Sequence, residues 1–333
     1  MTVLVTGAAG FIGSELALRW LSEGKRVVGI DAVTDYYDPA LKRARLDRLA
    51  AHDAFTFVEK RIEAPGTLAR LMEDHQPDIV LHLAAQAGVR YSIDNPASYL
   101  ASNIAGTYEL LEAARAHPPR HLLLASTSSV FGANTKMPYA ETDKADHPMS
   151  FYAATKKATE AMAHSYAHLY DLPTTMFRFF TVYGPWGRPD MAYFKFTKAI
   201  LEGRSIDVYN NGVMRRDFTY IDDLVEAVRR LSDCVPVKGA PVGSADSLSP
   251  VAPFRVVNIG KSEPDSLADF IAAVEDATGQ IAEKNMMPMQ PGDVPATWSE
   301  TTLLKDLTGF QATTGLSTGI PAFVDWYRAH YGA

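Results

Sequence analysis

The glycine-rich segment near the beginning of the chain restricts the possible folds more than any other feature. It reads Gly7, Ala8, Ala9, Gly10, Phe11, Ile12, Gly13, and it joins the apolar run 3–6 to an amphipathic stretch that reaches Gly24. A turn between a strand and a helix directs backbone N–H groups and the positive end of the helix dipole toward a phosphate. The GxxGxxG spacing alone also fits a merely structural turn. Its position between a strand and a helix favours nucleotide binding.

Short β-rich runs alternate with helix-length segments along the first half of the chain. The predicted strands are residues 3–6, 26–31, 55–58, 79–83, 121–126 and 174–179, and a helix is predicted over 152–170. Such alternation predicts βαβ units and a parallel sheet. We therefore expect a Rossmann-type, doubly wound α/β fold, with a nucleotide-binding domain over residues 1–180. A smaller C-terminal α/β region over 181–333 would bind the substrate, and sheet and helix segments can cross between the two.

Loop-forming sequences replace the regular alternation beyond residue 180. Residues 184–189 read Gly-Pro-Trp-Gly-Arg-Pro, and Asn211-Gly212 is a turn signal. The stretch 235–253 is rich in Pro, Gly and Ser, and it fits either a mobile surface loop or an ordered connection.

Composition excludes several classes of protein. The chain has 333 residues, 47% of them hydrophobic, and a net charge of −7, so a nucleic acid or an anionic membrane is not the expected partner. The single cysteine, Cys234, excludes an internal disulfide, and the histidines show no metal-ligand spacing, so we assign no metal. Met1 is followed by no charged leader, and no apolar stretch reaches the ~18 residues of a membrane span. We expect a cytoplasmic protein.

An aspartate ends the second predicted strand and bears on cofactor choice. Asp31 stands where a carboxylate accepts hydrogen bonds from the adenosine ribose and would repel a 2′-phosphate. This favours NAD over NADP, although Lys42, Arg43 and Arg45 lie downstream. A solvated aspartate at a strand end is the alternative interpretation.

A tyrosine and a lysine four residues apart are the candidate catalytic residues. Tyr152 and Lys156 fall on one face of the predicted helix, where the ammonium would lower the pKa of the phenol and make Tyr152 a usable base. Lys156 can also hold a nicotinamide ribose. The YxxxK pattern is common by chance. Its position after the hydroxyl cluster 126–129, at the carboxyl end of a strand, favours a catalytic role.

Taken in order, these residues resemble the extended short-chain dehydrogenase/reductase family. The resemblance rests on residues 7–13, Asp31, residues 82–85, Asn103, the 126–129 cluster, Tyr152 and Lys156. It implies that Thr127 hydrogen-bonds the reacting sugar hydroxyl beside Tyr152. It also implies that the cofactor is lined by Leu83, Ala84, Ala85 and Asn103. Arg61 departs from the family pattern, which often has Asp there to hold the adenine.

Within that family the chain most resembles the UDP-glucuronate 4-epimerases. The shared segments are residues 35–39, 86–90, 181–192, 215–220 and 291–295. Ser128 and Ser129 follow Thr127, where sugar 4,6-dehydratases carry Asp-Glu and UDP-glucuronate decarboxylases carry Glu nearby. Gln290 replaces an arginine that is usual in UDP-glucose 4-epimerases.

The resemblance also assigns groups to the substrate. A 4-keto sugar with a C5 carboxylate is a β-keto acid, so an epimerase must hold that carboxylate out of line with the carbonyl. Ser128, Ser129 and Thr181 can donate to the carboxylate, and Arg188 can supply charge. Arg216, and Arg90 with it, would bind the UDP diphosphate. Many such serines, threonines and arginines are instead strand caps or solvated groups.

The implied reaction is NAD-dependent epimerisation of UDP-glucuronate to UDP-galacturonate at C4, without decarboxylation. A UDP-glucose/UDP-galactose 4-epimerase is the first alternative, and a UDP-glucuronate decarboxylase is the second. A nucleotide-sensing protein without turnover shares the fold but has no need of Thr127, Tyr152 and Lys156. The resemblance further implies polysaccharide biosynthesis and a homodimer, in which the apolar helices 104–116 and 155–170 could pack across a subunit boundary.

Overall fold

A seven-stranded, fully parallel sheet forms the centre of the computed structural model, which describes residues 1–290 and 292–333. Its strand order is β10-β6-β5-β4-β1-β2-β3. The strands are β1 Thr2–Thr6, β2 Arg26–Asp31, β3 Phe55–Glu59, β4 Ile79–His82, β5 His121–Thr127, β6 Thr174–Phe179 and β10 Phe254–Ile259. The predicted doubly wound α/β fold is confirmed, and the strand order reverses between β1 and β4.

Helices cover both faces of this sheet, so its strands are almost fully buried except for the edge strand β3. These helices are α1 Phe11–Ser22, α2 Pro39–Ala50, α3 Thr67–His75, α6 Gly106–Ala116, α7 Phe151–Tyr170, α9 Ile221–Leu231 and α11 Thr302–Thr308. Two short helices, α4 Tyr91–Asp94 and α5 Pro96–Tyr99, pack against α7. One apolar core lies between the sheet and the side chains of α1, α9 and α11. A second lies under α3, α6 and α7.

Smaller sheets and three helices make up most of the C-terminal region. The strands are β7 Thr181–Tyr183, β8 Ile206–Val208, β9 Arg215–Tyr220, β11 Pro264–Ser266, β12 Lys284–Met286 and β13 Ala296–Thr297. Strand β9 is central, pairing with β7, β11 and β13, while β8 pairs with β12. The helices are α8 Ala192–Leu201, α10 Leu267–Thr278 and α12 Leu316–Tyr331, and they share an aromatic-rich core.

The chain crosses back to the large sheet after residue 180. Strand β10 pairs in register with β6, and helix α9 packs on α1, so segments from the second half complete the first. Residues 246–253, within the Pro/Gly/Ser-rich stretch, are anchored at this edge. Asp246 forms a bidentate ion pair with Arg255 at 2.8 and 2.9 Å, and the buried Ala252 packs in the second core. No helix in the described part of the chain combines the length and the apolar character that a bilayer span requires.

Candidate active site

A cleft of about 1180 Å³, including its open mouth, lies at the carboxyl ends of β1 and β4, where the strand order reverses. This is where open α/β sheets bind their ligands. Most of the predicted cofactor residues line it, namely Gly7, Gly10, Phe11, Ile12, Gly13, Asp31, Leu83, Ala84, Ala85, Tyr152 and Lys156. Arg188 enters the same cleft from the C-terminal region.

The glycine turn packs against the end of β4 without space for side chains. Gly7 has φ of +76°, and a Cβ there would lie 2.8 Å from the backbone nitrogen of Ala84. A Cβ on Gly13 would collide with the carbonyl oxygen of Gly7. The first turn of α1 therefore presents backbone atoms to the cleft without side chains in between. This arrangement fits a pyrophosphate bound at a helix N-terminus.

Asp31 is held by the same turn. Its carboxylate accepts hydrogen bonds from the backbone N–H of Ala9 at 3.1 Å and of Val33 at 2.8 Å, and it faces the cleft. Lys42 also lines the cleft, but its ammonium donates to the carbonyl and hydroxyl oxygens of Thr34 at 2.7 and 3.0 Å. Arg43 is paired with Glu59 at the surface. The cleft thus presents a fixed carboxylate at the position where the sequence predicts the adenosine ribose.

Arg61 lines the cofactor cleft at the position where the family often has an aspartate that holds the adenine. Its guanidinium pairs with Glu63 at 3.1 Å, and both residues line the cleft together with Lys60 and Ile62. The position therefore still borders the cofactor cleft, with a charged pair in place of a single carboxylate.

A buried histidine, His82, belongs to the 82–85 segment, which gives it no role, and it fixes the end of β4 beside the cleft. Thr6 Oγ1 lies 2.8 Å from His82 Nδ1 and accepts from the backbone N–H of Ala84 at 3.1 Å. The other ring nitrogen lies 3.2 Å from Thr107 Oγ1. Burial, and secondarily the charge of Lys156, lower the pKa of His82 to about 3, so the ring is neutral. It joins the ends of β1 and β4.

Asn103 supports the wall of the cleft from behind. It lies on a π-helical segment, Leu100–Ala105, and is buried. Its amide exchanges hydrogen bonds with the backbone of Gln86, accepting at 2.8 Å and donating at 3.1 Å, and it donates to Thr155 at 3.0 Å. Gln86 lines the cleft, so Asn103 positions that wall through the backbone.

Helix α7 brings Tyr152 and Lys156 to one face, as the spacing predicts. Ser150 caps the helix by accepting from the N–H of Ala153 at 3.1 Å. The side chain of Lys156 is buried, with the residue 5% exposed, and its ammonium donates to the carbonyl of Ala125 at 2.7 Å. Burial lowers the pKa of Lys156 to about 8, against the opposing charge of Glu160.

The electrostatics of Tyr152 differ from the expectation. Burial raises the pKa of its phenol, and the groups that oppose this are a hydrogen bond with Thr127 and the charge of Arg188. The sequence predicts that Lys156 lowers that pKa, but its ammonium donates to the Ala125 carbonyl instead. Thr127 and Arg188 therefore stabilise the phenolate in this arrangement.

A buried ion pair, which no local sequence pattern indicates, lies behind the hydroxyl cluster. Ser126 donates to Glu160 at 2.6 Å, and Arg178 donates to both oxygens of that carboxylate at 2.9 Å. Although burial raises the pKa of Glu160, Arg178 lowers it below the usual value. The pair fixes the Ser126 side chain at the floor of the cleft and keeps a negative charge one helical turn from Lys156.

The remaining hydroxyl groups predicted for the substrate sit beside Thr127. Ser128 and Ser129 begin a short 3-10 helix, Ser128–Phe131, and Thr127 accepts from the N–H of Ser129 at 3.2 Å. Thr127 stands opposite Phe179 in the pairing of β5 with β6, and Thr181 follows two residues later at the start of β7. The fold therefore places these hydroxyls at the carboxyl ends of the neighbouring strands β5 and β6.

Two of the predicted arginines hold one segment of the chain. Arg90 pairs with Asp293 at 2.9 Å, and Arg216 donates to the carbonyl of Val294 at 2.8 Å and of Pro295 at 3.3 Å. Pro291, at the start of the predicted 291–295 segment, lies outside the described residues. Arg216 is thus hydrogen-bonded to neutral carbonyls, and burial lowers its pKa against the opposing effect of the nearby charge of Asp293.

Arg45 joins the glycine turn to the loop that carries Arg188. It is fully buried and donates to the carbonyl of Ala9 at 3.1 Å and to the phenol of Tyr37 at 2.6 Å. It also donates to the carbonyls of Trp186, at 2.6 and 3.1 Å, and of Gly187, at 3.0 Å. One side chain therefore ties the cofactor wall to the substrate wall.

The parallel sheet, the glycine turn and the Thr127, Tyr152 and Lys156 set define a dinucleotide-binding enzyme of the extended short-chain dehydrogenase/reductase type. The model of the NAD dependent epimerase/dehydratase family matches residues 3–237, and the chain belongs to that family. It is thus an NAD-using nucleotide-sugar epimerase, as predicted.

Individual relatives span nearly the whole chain. A probable UDP-glucuronate 4-epimerase of Rhizobium meliloti (strain 1021) is 53% identical over 99% of this chain and 98% of its own length. UDP-glucuronic acid 4-epimerase from Bacillus cereus, solved with UDP-glucuronic acid and NAD, is 33% identical with a TM-score of 0.89, covering 99% and 100% of the two chains. UDP-glucose 4-epimerase from Thermotoga maritima, solved with UDP-glucose, is 29% identical with a TM-score of 0.85, covering 99% and 100%.

Proposed function

We propose that this enzyme interconverts UDP-glucuronate and UDP-galacturonate by epimerisation at C4, through a transient 4-keto sugar and without loss of carbon dioxide. The observation that carries the proposal is the position of Arg188, a cation in the cleft whose charge acts on Tyr152. A sugar placed for proton transfer to Tyr152 would have its C5 carboxylate within reach of that cation. The named relatives from Rhizobium meliloti and Bacillus cereus support the same substrate.

Tyr152 moves the proton of the sugar C4 hydroxyl, with Thr127 opposing the rise in the pKa of the phenol. NAD, when bound in this cleft, supplies the acceptor for hydride from C4 and the source from which it returns to the opposite face. Lys156 holds the nicotinamide ribose, while Thr127 and the charge of Arg188 favour the phenolate. Tyr152 then returns the proton to the C4 oxygen, so no external reductant or oxidant is consumed.

The carboxylate must be fixed while C4 is a ketone. Decarboxylation requires the bond to the carboxylate to align with the carbonyl π system. Ser128, Ser129 and Thr181 donate to the carboxylate from the sheet edge, and Arg188 supplies the charge. These contacts keep the bond out of alignment. Ser128 and Ser129 also supply no acid or base for a second reaction.

Arg216 and Arg90 bind the UDP end in this proposal. Both already hold the segment 293–295, and burial lowers the pKa of Arg216 against the opposing charge of Asp293. A diphosphate brought to this segment would give the guanidinium of Arg216 the anionic partner that neutral carbonyls do not provide.

The test is incubation of the purified protein with UDP-glucuronate and no added reductant, with nucleotide sugars and carbon dioxide measured together. We expect UDP-galacturonate with little carbon dioxide. Carbon dioxide and a UDP-pentose as the main products would instead establish a decarboxylase. Conversion of UDP-glucose but not UDP-glucuronate would establish a neutral-sugar epimerase.

We further propose that the enzyme is a cytoplasmic homodimer that serves polysaccharide biosynthesis. In this proposal residues 1–180 bind NAD and residues 181–333 bind the UDP-sugar, with β10 and α9 crossing back. Support for the dimer comes from exposed apolar side chains on the two predicted helices, with Tyr108 on α6 49% exposed and Leu169 on α7 65% exposed. Such side chains are candidates for a subunit contact.

A further inference from the structure

We infer that Asp190 is a positioning residue that holds Arg188 while the sugar carboxylate is away from it, and thereby lets the sugar turn between its two faces. The inference rests on the proposed function, because it concerns the carboxylate of a uronic acid. Turning is intrinsic to that function, since hydride leaves one face of C4 and returns to the other. A carboxylate bound too firmly would hold the ring on one face.

The geometry of the pair leaves part of Arg188 for the substrate. Its Nε donates to one oxygen of Asp190 at 3.0 Å and an Nη donates to the other at 2.5 Å, so one edge of the guanidinium is occupied. The other Nη remains to approach a second carboxylate. Both side chains are 25% exposed, so solvent compensates each charge only in part.

Tyr36 affects how strongly Asp190 competes with the sugar carboxylate for the guanidinium of Arg188. The phenol of Tyr36 donates to the Asp190 oxygen that also accepts from the Nη of Arg188, at 3.2 Å. Both Tyr36 and Arg188 line the cleft. A carboxylate with a second donor interacts less strongly with a single guanidinium. Tyr36 therefore weakens the hold of Asp190 on Arg188, and the sugar carboxylate can share that cation.

The loop itself is fixed, so exchange takes place at the guanidinium. Arg45 binds the carbonyls of Trp186 and Gly187, and the backbone N–H of Arg188 donates to the phenol of Tyr193 at 2.9 Å. Departure of the sugar carboxylate then leaves Arg188 in place and neutralised by Asp190. Without Asp190, departure of the sugar carboxylate would leave the partly buried charge of Arg188 without an anionic partner, which is energetically costly.

The experiment compares Asp190→Asn with the unmodified holoenzyme, measuring Kd for UDP-glucuronate and for UDP-glucose, kcat, and the fraction of reduced cofactor during turnover. Loss of the competing charge strengthens the hold on the sugar carboxylate and slows turning. We expect Kd for UDP-glucuronate to fall about threefold or more and kcat to fall about tenfold. The fraction of reduced cofactor should rise, because the 4-keto sugar persists longer before hydride returns. Kd for UDP-glucose should stay unchanged.

Further variants separate this role from a merely structural one. Asp190→Glu keeps the charge and should restore kcat in part. Tyr36→Phe frees Asp190 to bind Arg188 more strongly, so Kd for UDP-glucuronate should rise, opposite to Asp190→Asn. Glu202→Gln removes an exposed carboxylate from an arginine pair of the same two-residue spacing, with Arg204, and should change nothing. Tyr36→Phe also tests the inference if Asp190→Asn does not fold.

The outcomes distinguish the inference from the proposed function. If the unmodified enzyme does not convert UDP-glucuronate, the proposed function fails and the inference falls with it. If it does convert UDP-glucuronate, but Asp190→Asn weakens binding and lowers the reduced fraction, only the inference is overturned. The inference alone is also overturned if Tyr36→Phe shifts Kd in the same direction as Asp190→Asn.

Discussion

Tyr152 and Lys156 work in an environment that disfavours charge on both. Burial raises the pKa of the phenol and lowers the pKa of the ammonium, the latter to about 8. In the proposed reaction, proton transfer from the sugar hydroxyl to Tyr152 therefore depends on groups that stabilise the phenolate. Thr127 and Arg188 do so in the structure. The proposed reaction thus brings the sugar hydroxyl to the phenol on which Arg188 already acts.

Replacing Tyr152 by phenylalanine should remove the proton carrier and leave the cleft intact. We expect Tyr152→Phe to lower kcat by about 10² to 10⁴-fold, the usual size of an acid–base contribution. Bound NAD, measured after denaturation, should remain because the ring keeps its place. Tyr170→Phe, on the same helix and 39% exposed, is the matched control. Unchanged turnover in Tyr152→Phe would refute the assigned base.

Glu141 makes stability depend on pH. It is buried, and burial raises its pKa to about 7 although its carboxylate accepts from the N–H of Asn258. Between the ordinary value near 4.5 and about 7, the folded state binds more protons than the unfolded state. The free energy of unfolding therefore falls as pH rises through this window.

Glu141→Gln should remove that loss. At about pH 8 we expect the variant to be more stable than the unmodified protein by about 1–3 kcal/mol, with the difference shrinking toward about pH 5. Urea unfolding at the two pH values measures it. Glu263→Gln, at an exposed position, should show no such difference. A variant equally destabilised at both pH values would show that packing, not charge, governs this site.

Local motifs allowed residues that line the cleft to be predicted, whereas their hydrogen-bond partners could not be. Gly7, Asp31, Tyr152 and Lys156 stand in short patterns whose meaning depends on neighbouring residues. Ser126 and Glu160 are 34 positions apart, and Arg45 and Trp186 are 141 apart. Such partners are brought together only by the tertiary fold, so the sequence offers no spacing by which to recognise them.

At the scale of elements, Arg45 links helix α2 to the two walls of the cleft. Arg45→Met would leave the carbonyls of Ala9, Trp186 and Gly187 without this donor, so we expect a loss of about 2–4 kcal/mol of stability. Bound NAD should fall and KM for the UDP-sugar should rise, because both walls lose an anchor.

Arg45→Lys and a surface control complete that test. Lysine keeps the charge but has fewer donors, so it should recover part of the stability and part of the cofactor content. Arg43→Met removes a neighbouring arginine whose pair with Glu59 is exposed, and should change neither quantity measurably. Equal losses in the Arg43 and Arg45 variants would contradict a specific link between the walls.

Strand prediction worked where apolar runs were short and bounded by turns. β2 and β6 begin and end at the predicted residues, and β1, β3, β4 and β5 differ by one residue at an end. Strand β10 follows the irregular stretch 235–253, and its place beside β6 depends on pairing that no local pattern records. The π-helical segment Leu100–Ala105 is likewise set by side-chain contacts, including those of Asn103.

At the scale of the whole molecule, the two halves complete each other. Strand β10 covers the edge of β6 that would otherwise be exposed, and α9 covers an apolar face of α1. Arg45, through the carbonyls of Trp186 and Gly187, and Tyr36, through Asp190, then join the halves at the cleft. Any movement of the substrate region relative to the sheet must therefore change the distance between Arg188 and Tyr152.

The proposed dimer places helices α6 and α7 against a second copy. These helices pack together, and their outer side chains include Tyr108 and Leu169. Introducing glutamate at both positions would put charge into an apolar contact without touching the core. We expect Tyr108→Glu combined with Leu169→Glu to elute with the mass of one 36.4 kDa chain, and the unmodified protein with twice that mass. Light scattering after size exclusion measures the mass directly.

Ile281→Glu is the control for that experiment, because Ile281 is 88% exposed and lies on the C-terminal region, after α10. This variant should remain a dimer. Because the cleft is formed within one chain, the monomeric variant should still bind NAD, although its stability at low protein concentration should fall. A double variant that remains dimeric would place the subunit contact elsewhere, and an unmodified protein with the mass of one chain would contradict the dimer itself.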